Sequence, residues 1–454
     1  MTPIYHDVVG AAALFSLFLA VIGTAELCIR KAVLAPEAAR KAIHVAGGLG
    51  CAFFPFLVAS WVTVLILSVL FSFLLFAGER QRRLKALSSV ARSSLGSLLF
   101  PLAILLLFIV AKDRLWLYLS ALLVLVLADS AAALVGTHFG KIRYQTAPGE
   151  WKSLEGTLAF CGVGFLAVLL TLCILSDLNF VTCLLTASLM AVLLAGLESV
   201  SIGGTDNIFT PLATLYLLLK IPDKPHIEIV FQCMSLLAFS WLLFWINSRH
   251  QTFLIRPLVV FILITYAAWA LGSADWMLPA LSGFILYNRL CAPCGPRPSD
   301  PSALRLLRPL YPSIFILFVA NTTMSLAFWL GPYLAATSVA TTLCIVERYR
   351  LNTKGARLVG LKRMAALLLP ATVPCLLCVP IQGPSVLKAT PTLITLVLGA
   401  SLLHHAFARQ SSADTFWRYW IGLCASFAAL TYTALQFGGF LAPLAPSTWK
   451  EVFR

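Results

Sequence analysis

Apolar residues run along this chain in long unbroken blocks, and the short intervals between blocks hold most of the Lys, Arg, Pro and paired Gly residues. A block of about 20 apolar residues, rising 1.5 Å per residue as a helix, crosses a bilayer. In the first half the spacing predicts spans at 8–29, 43–59, 61–78, 95–111, 115–137, 156–176, 180–197 and a short one at 207–220. The second half follows with 227–246, 254–271, 275–290, 313–332, 333–346, 364–381, 390–408 and 417–441. Since the shortest are borderline, the expectation is an all-α, polytopic integral membrane bundle of about 14 to 16 transmembrane helices. The blocks lack the two-residue alternation of a membrane barrel, which excludes that class.

Composition agrees. Hydrophobic residues make up 60% and charged residues 11%, against roughly 45–50% and ~25% in soluble chains. A soluble enzyme or a disordered chain would need more polar surface than this. The net charge of +15 does not imply nucleic acid, because the basic residues form no clustered face with interleaved aromatics. Placed with the N-terminus outside, 26 of the 33 Lys and Arg residues fall in inside loops, the bias that orients membrane proteins. The first span has no basic leader, so it is expected to be a true helix and not a cleaved signal. Cysteines are scattered, mostly within apolar runs where a thiol acts as a small hydrophobe. The Cys291/Cys294 and Cys375/Cys378 pairs lack a second pair at zinc spacing.

Acids are unevenly spread: twelve of eighteen precede residue 228, so chemistry is expected in the first half. The Pro222–His226 link is the expected boundary between domains 1–221 and 222–454. Four polar constellations share one expected cytoplasmic face. Arg40-Lys41-x-x-His44 opens the second span, as a snorkelling anchor or a phosphate clamp. Asp129 with Ser130 lies about 21 Å along a helix from Leu115, where burying a carboxylate costs about 2.5–3.5 kcal/mol, so it is a functional candidate. The stretch from Gly136 and Gly140-Lys141 to Lys152-Ser153-Leu154-Glu155-Gly156 has glycines that permit backbone approach to phosphate and a following helix N-terminus, or else a charged helix cap. It is not a Walker loop, having three residues between its glycines and Ile142 after the lysine. Glu198 is followed by the glycine turn Gly203-Gly204-Thr205-Asp206-Asn207, whose carboxylate and amide oxygens suit a hard divalent cation. Carboxylates, cations and glycine turns together are what Mg²⁺-dependent phosphoryl chemistry on a nucleotide requires.

At these residues the sequence resembles the CTP-dependent polyprenol kinase family, the group of dolichol kinase and plant phytol kinase, which is itself similar to the phosphatidate cytidylyltransferases. The matching pieces are Arg40-Lys41-x-x-His44, Asp129 through Gly136 to Gly140-Lys141, Lys152 to Thr157, and Glu198 with Asp206-Asn207. They span about residues 30 to 220. The resemblance implies transfer of the γ-phosphoryl group of CTP to a long-chain isoprenoid alcohol that enters sideways between spans, with its tail in the lipid bilayer. It implies catalytic roles for Asp129, Lys152 and Asp206. Mg²⁺ would be held by Asp129, Glu198 and Asp206, and the nucleotide by Arg40, Lys41, His44, Gly136, Gly140, Lys141, Ser153, Glu155, Gly156 and Asn207. The Lys141–Trp151 link, with a single proline at 148, departs from the family pattern, and residues 221–454 match none of its motifs. Polar residues of that half, such as Asn321, Thr322, Thr323, His404 and His405, are expected to make helix-packing contacts.

Two rival readings stand beside it, the first using the same residues. A CDP-lipid synthase would attack the α-phosphate of CTP with a lipid phosphate. A transporter would place charges and broken helices near the midplane of both halves, whereas these acids cluster in one half.

Overall fold

A computed structural model describes residues 3–31, 33, 36–80, 96–147, 150–201, 203–250, 253, 255–291, 304–352, 361–382, 384–408 and 414–444. The basic stretch from Arg82 to Arg92, the Pro293–Pro301 loop and Cys294 lie outside the described residues. The chain divides into two compact units, Met1–Val230 and Phe231–Arg454.

The first unit is a helical bundle with one hairpin. Its helices are α1 (Pro3–Arg30), α2 (Pro36–Cys51), the single turn α3 (Phe54–Leu57), α4 (Trp61–Arg80) and α5 (Gly96–Ala111). α6 (Leu115–Phe139) follows, then strands β1 (Arg143–Ala147) and β2 (Glu150–Ser153), α7 (Leu154–Leu175), α8 (Phe180–Val200) and the short α9 (Asp206–Leu218). α10 (His226–His250) begins just before the division. The expected span 43–59 is broken, because the chain turns at Ala52-Phe53 and restarts with Pro55 in the first turn of α3, a position where a missing amide is harmless. α6 is α-helical except for one π turn over Val124–Ala128, directly before Asp129. π turns are rare and favour functional sites.

Far from the polar constellations, Asp7 in α1 fastens the segment that joins α3 to α4. Its carboxylate accepts from the Ala59 amide at 2.8 Å, the Ser60 amide at 2.9 Å and the Thr63 hydroxyl at 2.8 Å. Lys112 Nζ donates to the Ala59 carbonyl at 2.8 Å. Asp7→Ala strips two amides of their acceptor, so a stability loss of about 1–3 kcal/mol is expected, read as a lower thermal midpoint in detergent. Asp7→Asn, which keeps one acceptor oxygen, should lose less.

The second unit continues α10 with α11 (Ile255–Gly272), α12 (Ala274–Cys291), α13 (Leu304–Thr322), α14 (Leu326–Asn352), α15 (Leu361–Gln382), a 3₁₀ turn at Pro384–Ala389, α16 (Thr390–Ala408) and α17 (Asp414–Phe437). α14 is the axis of its core: Leu330, Leu334, Ala336, Val339, Ala340 and Leu343 are buried. The expected boundary between spans 313–332 and 333–346 moves. Pro332 lies inside α14, and the chain instead breaks at Thr323–Ser325. Proline is tolerated within membrane helices because neighbouring groups satisfy the freed carbonyl. Asn321 Nδ2 donates to the Leu271 carbonyl at 3.1 Å, Thr323 donates one turn back, and His404 meets Glu347 at 3.4 Å. The Asn321 and His404 contacts join different helices, as expected of packing residues, whereas the Thr322 and Thr323 hydroxyls bond back to their own helix. Cys375 and Cys378 are free thiols in the apolar core.

The fold is thus a polytopic helical bundle with one short hairpin. Among the described residues, nine helices are long and apolar enough to cross a membrane, with three shorter apolar ones at Trp61–Ala77, Leu98–Ala111 and Ala365–Pro380. Each of the sixteen sequence spans overlaps a helix, but 43–59 and 313–332 run across the breaks at Ala52-Phe53 and Thr323–Ser325, and several helices are too short to cross alone.

Candidate functional site

The first unit holds a cavity of about 640 Å³ with a polar end and an apolar arm. Arg40, Lys41 and His44 line the polar end from the first turns of α2, and Asp129 and Thr137 from α6. Lys152 reaches in from β2, and Ser201, Gly203, Gly204, Asp206 and Asn207 from the α8–α9 turn and the start of α9. Residues as far apart in sequence as 40 and 207 therefore share one pocket.

Two cation–carboxylate pairs organise it. Lys41 Nζ donates to Asp129 Oδ2 at 2.7 Å, and His44 Nε2 lies 3.6 Å from the same oxygen. His44 also sits 3.3 Å from the Leu125 carbonyl within the π turn, and its ring packs on Phe100 at 4.9 Å. Lys152 Nζ donates to Glu198 Oε1 at 2.5 Å and to the Glu198 carbonyl. Burial alone pulls the Lys152 ammonium down, but the carboxylates of Glu198 and Asp206 outweigh it, and its pKa stands above the ordinary lysine value. Burial first, and the Asp129 carboxylate second, raise Asp206 above the usual aspartate range. Asp206 is thus a desolvated acid beside another, an environment that a further cation would relieve. Asn207 Nδ2 anchors the turn to the Gly96 carbonyl at 3.0 Å, and positive φ at Gly203 (60°) and Gly204 (83°) bends it as an L-residue rarely does.

The remaining expected site residues, Gly136, Gly140, Lys141, Ser153, Glu155, Gly156 and Glu198, do not line the cavity themselves. Gly136, Gly140 and Gly156 face one another and Ser153 where the end of α6 crosses the start of α7. A Cβ on Gly140 would lie 2.2 Å from the Gly136 carbonyl oxygen and 2.8 Å from Ser153 Cβ, and one on Gly156 would lie 2.7 Å from the Ala132 carbonyl oxygen. Their shared use here is a close helix crossing. Ser153 caps α7 by accepting from the Gly156 amide at 3.1 Å. Glu155 is half-buried and does not complete a capping box. It accepts instead from the Lys141 amide at 3.0 Å and the Ile142 amide at 3.2 Å, bracing the turn that leads into the hairpin. The Lys141 side chain is exposed. Tyr144 Oη bonds Thr157 Oγ1 at 2.7 Å, tying β1 to α7. The antiparallel pairing of Tyr144 with Lys152 then fixes where the lysine enters the pocket.

Gly140→Ala is expected to part this crossing, destabilising by about 1–3 kcal/mol as overpacking does. Gly162→Ala in the same unit is the control, because its Cβ would meet nothing within 4 Å. Thermal unfolding of both variants separates a crowded site from a general intolerance of alanine.

A hard divalent cation takes oxygen donors. Among the described residues no three His, Cys, Asp or Glu side chains form a ready-made metal cage. Glu198 Oε2 is nonetheless buried with no hydrogen-bond partner among the described residues, and Asp129 and Asp206 both face the cavity. Mg²⁺ is typically held by one or two carboxylates together with substrate phosphates and water. The donor set fits an ion that arrives with a nucleotide.

The sequence is 34% identical over 203 residues to a phytol kinase of Synechocystis sp., a match covering 84% of that relative and 43% of this chain. The chain belongs to the phytol kinase family. No protein-family model matches it, and no solved structure does. Membership makes it a membrane-bound lipid-alcohol kinase by kind, whereas similarity to cytidylyltransferases finds no counterpart among these matches. More than half of the chain lies outside the aligned region. Sequence reasoning did not single out Thr137 and Ser201, which also line the pocket. Neither carries a signal of its own, since hydroxyls are common in membrane helices. The hairpin was also missed, although Tyr144-Gln145-Thr146 has the alternation and β-branching of a strand.

Proposed function

We propose that this protein transfers the γ-phosphoryl group of CTP to the hydroxyl of a long-chain isoprenoid alcohol. The observation that carries the reading is the single cavity whose polar end gathers Lys41, Lys152, Asp129 and Asp206 and whose other arm is apolar. Such a cavity suits an amphiphile with one reacting end. Arg40, Lys41 and Lys152 would neutralise the triphosphate, and the hydroxyl would meet it beside His44 where the two arms join. Asp129 and Asp206, with Glu198 behind them, would hold Mg²⁺, which when bound offsets charge on the phosphate oxygens. Lys41 positions Asp129, and Glu198 positions Lys152, so neither reacting group has to reorganise during transfer. Within the apolar arm the tail needs no water to leave polar groups exposed, which is the gain from keeping a lipid chain out of solvent.

The test follows the label. Purified protein is incubated with CTP labelled at the γ or at the α phosphate, with phytol or with phosphatidic acid. Prenyl phosphate labelled only from the γ position is expected. A CDP-lipid labelled from the α position would instead establish a cytidylyltransferase, and equal use of ATP would remove the claim on CTP.

A further inference from the structure

α7 and α8 pack against each other as an antiparallel pair joined by the short turn Ser176–Asn179. One end of the pair carries the contact of Lys152 with Glu198. The other end carries two cysteines. Cys173 lies nineteen residues of helix beyond Leu154, about 28 Å at 1.5 Å per residue, close to the ~30 Å thickness of a bilayer's hydrocarbon core. Cys173 and its neighbour Cys183 therefore stand at the membrane face opposite Lys152.

Cys173 is exposed, Cys183 is buried, and both are free thiols. They hydrogen-bond to one another, and Cys183 Sγ also donates to the Leu178 carbonyl at 3.7 Å. Two sulfurs in hydrogen-bond contact are a side-chain adjustment away from the ~2.05 Å S–S bond. The turn between them is held at both ends. Ser176 Oγ donates to the Leu172 carbonyl at 2.6 Å, and Asn179 Oδ1 caps α8 by accepting from the Thr182 amide at 2.9 Å. Cys375 and Cys378, by contrast, are both sealed in the core of the second unit, out of an oxidant's reach.

The turn contains Asp177 and no Lys or Arg, so the charge bias that expects Lys141 and Lys152 inside expects this turn outside. Disulfides form and persist in the oxidising compartments on that side of a membrane. We infer that Cys173 and Cys183 are a modification site, a dithiol that closes to a disulfide on the face away from the nucleotide and clasps the two helices whose opposite ends hold Lys152 and Glu198. The oxidant is a protein disulfide of that compartment. The exposed Cys173 thiolate attacks it, forming a mixed disulfide and releasing one thiolate. The Cys183 thiolate then displaces the second, which forms the Cys173–Cys183 bond. The pair gives up two electrons and two protons, and the oxidant ends as two thiols.

The experiment reads the bond directly. No Lys or Arg lies between Lys152 and Lys220, so trypsin leaves Cys161, Cys173 and Cys183 on one peptide. Cells making the full-length protein are quenched in acid, unfolded and treated with a maleimide, with or without prior reduction, and the mass of that peptide is measured. One label without reduction, on Cys161, and three with it are expected. Cys161→Ser should carry none without reduction, and Cys173→Ser should carry two. Reductant should lower the thermal midpoint of the wild type by about 5 °C, as loss of a disulfide across a short loop does, and leave that of Cys173→Ser unchanged. Three labels on the unreduced wild type, or a midpoint indifferent to reductant, would overturn the disulfide.

Discussion

Asp129→Asn is expected to lower CTP-dependent prenol phosphorylation by roughly 10²- to 10³-fold, the loss typical of removing one preorganised electrostatic contact. Two effects combine. Asparagine withdraws the anion that would help hold a metal nucleotide, and it breaks the 2.7 Å pair with Lys41. The second effect leaves a largely buried ammonium unpaired, so stability should also fall, by up to about 3–5 kcal/mol. Pairing Asp129→Asn with Lys41→Met separates the two. The double variant should recover thermal stability and remain inactive, while Asp223→Asn on the exposed Pro222–His226 link changes neither. Normal activity in Asp129→Asn would remove that residue from the site.

Lys152→Met is the second large effect. Its ammonium is held by both the side chain and the carbonyl of Glu198 and faces Asp206. Removing it leaves the buried Glu198 carboxylate uncompensated, an expected loss of about 3–5 kcal/mol, along with loss of nucleotide binding. Adding Glu198→Gln should restore the thermal midpoint but not turnover. Lys152→Arg should not rescue either, because a planar guanidinium cannot replace a point charge between two fixed oxygens of Glu198. Nucleotide binding measured directly is the deciding readout: a Lys152→Met protein that binds CTP with native affinity contradicts the role.

Much of this was legible in the sequence because each polar group stood against an apolar background. Asp129 was conspicuous for its depth in a span, and Asp206-Asn207 for the glycines before them. All seven residues that carry the pocket's charge and amide chemistry, Arg40, Lys41, His44, Asp129, Lys152, Asp206 and Asn207, line one cavity. What spacing cannot reveal is pairing across distance: nothing in the chain says that Lys41 belongs to Asp129, or Lys152 to Glu198. The glycines at 136, 140 and 156 were ambiguous for a physical reason, since absence of a Cβ serves phosphate approach and helix crossing equally well. The break after Cys51 was hidden because Ala52-Phe53-Phe54 is as apolar as the spans around it, and polarity was the signal in use.

The wider turn before Asp129 has a consequence for how this site tolerates change. A π turn is an α-helix with one residue too many, and each residue of helix turns the side chains after it by about 100°. Deleting any one position from Val124 to Ala128 would heal the helix without removing a single polar group. It would also swing Asp129 and Thr137 together off the face they share with Lys41. The active arrangement is therefore written in chain length as well as in residue identity, and a lineage that lost that one apolar codon would keep a well-formed membrane helix with its acid aimed elsewhere.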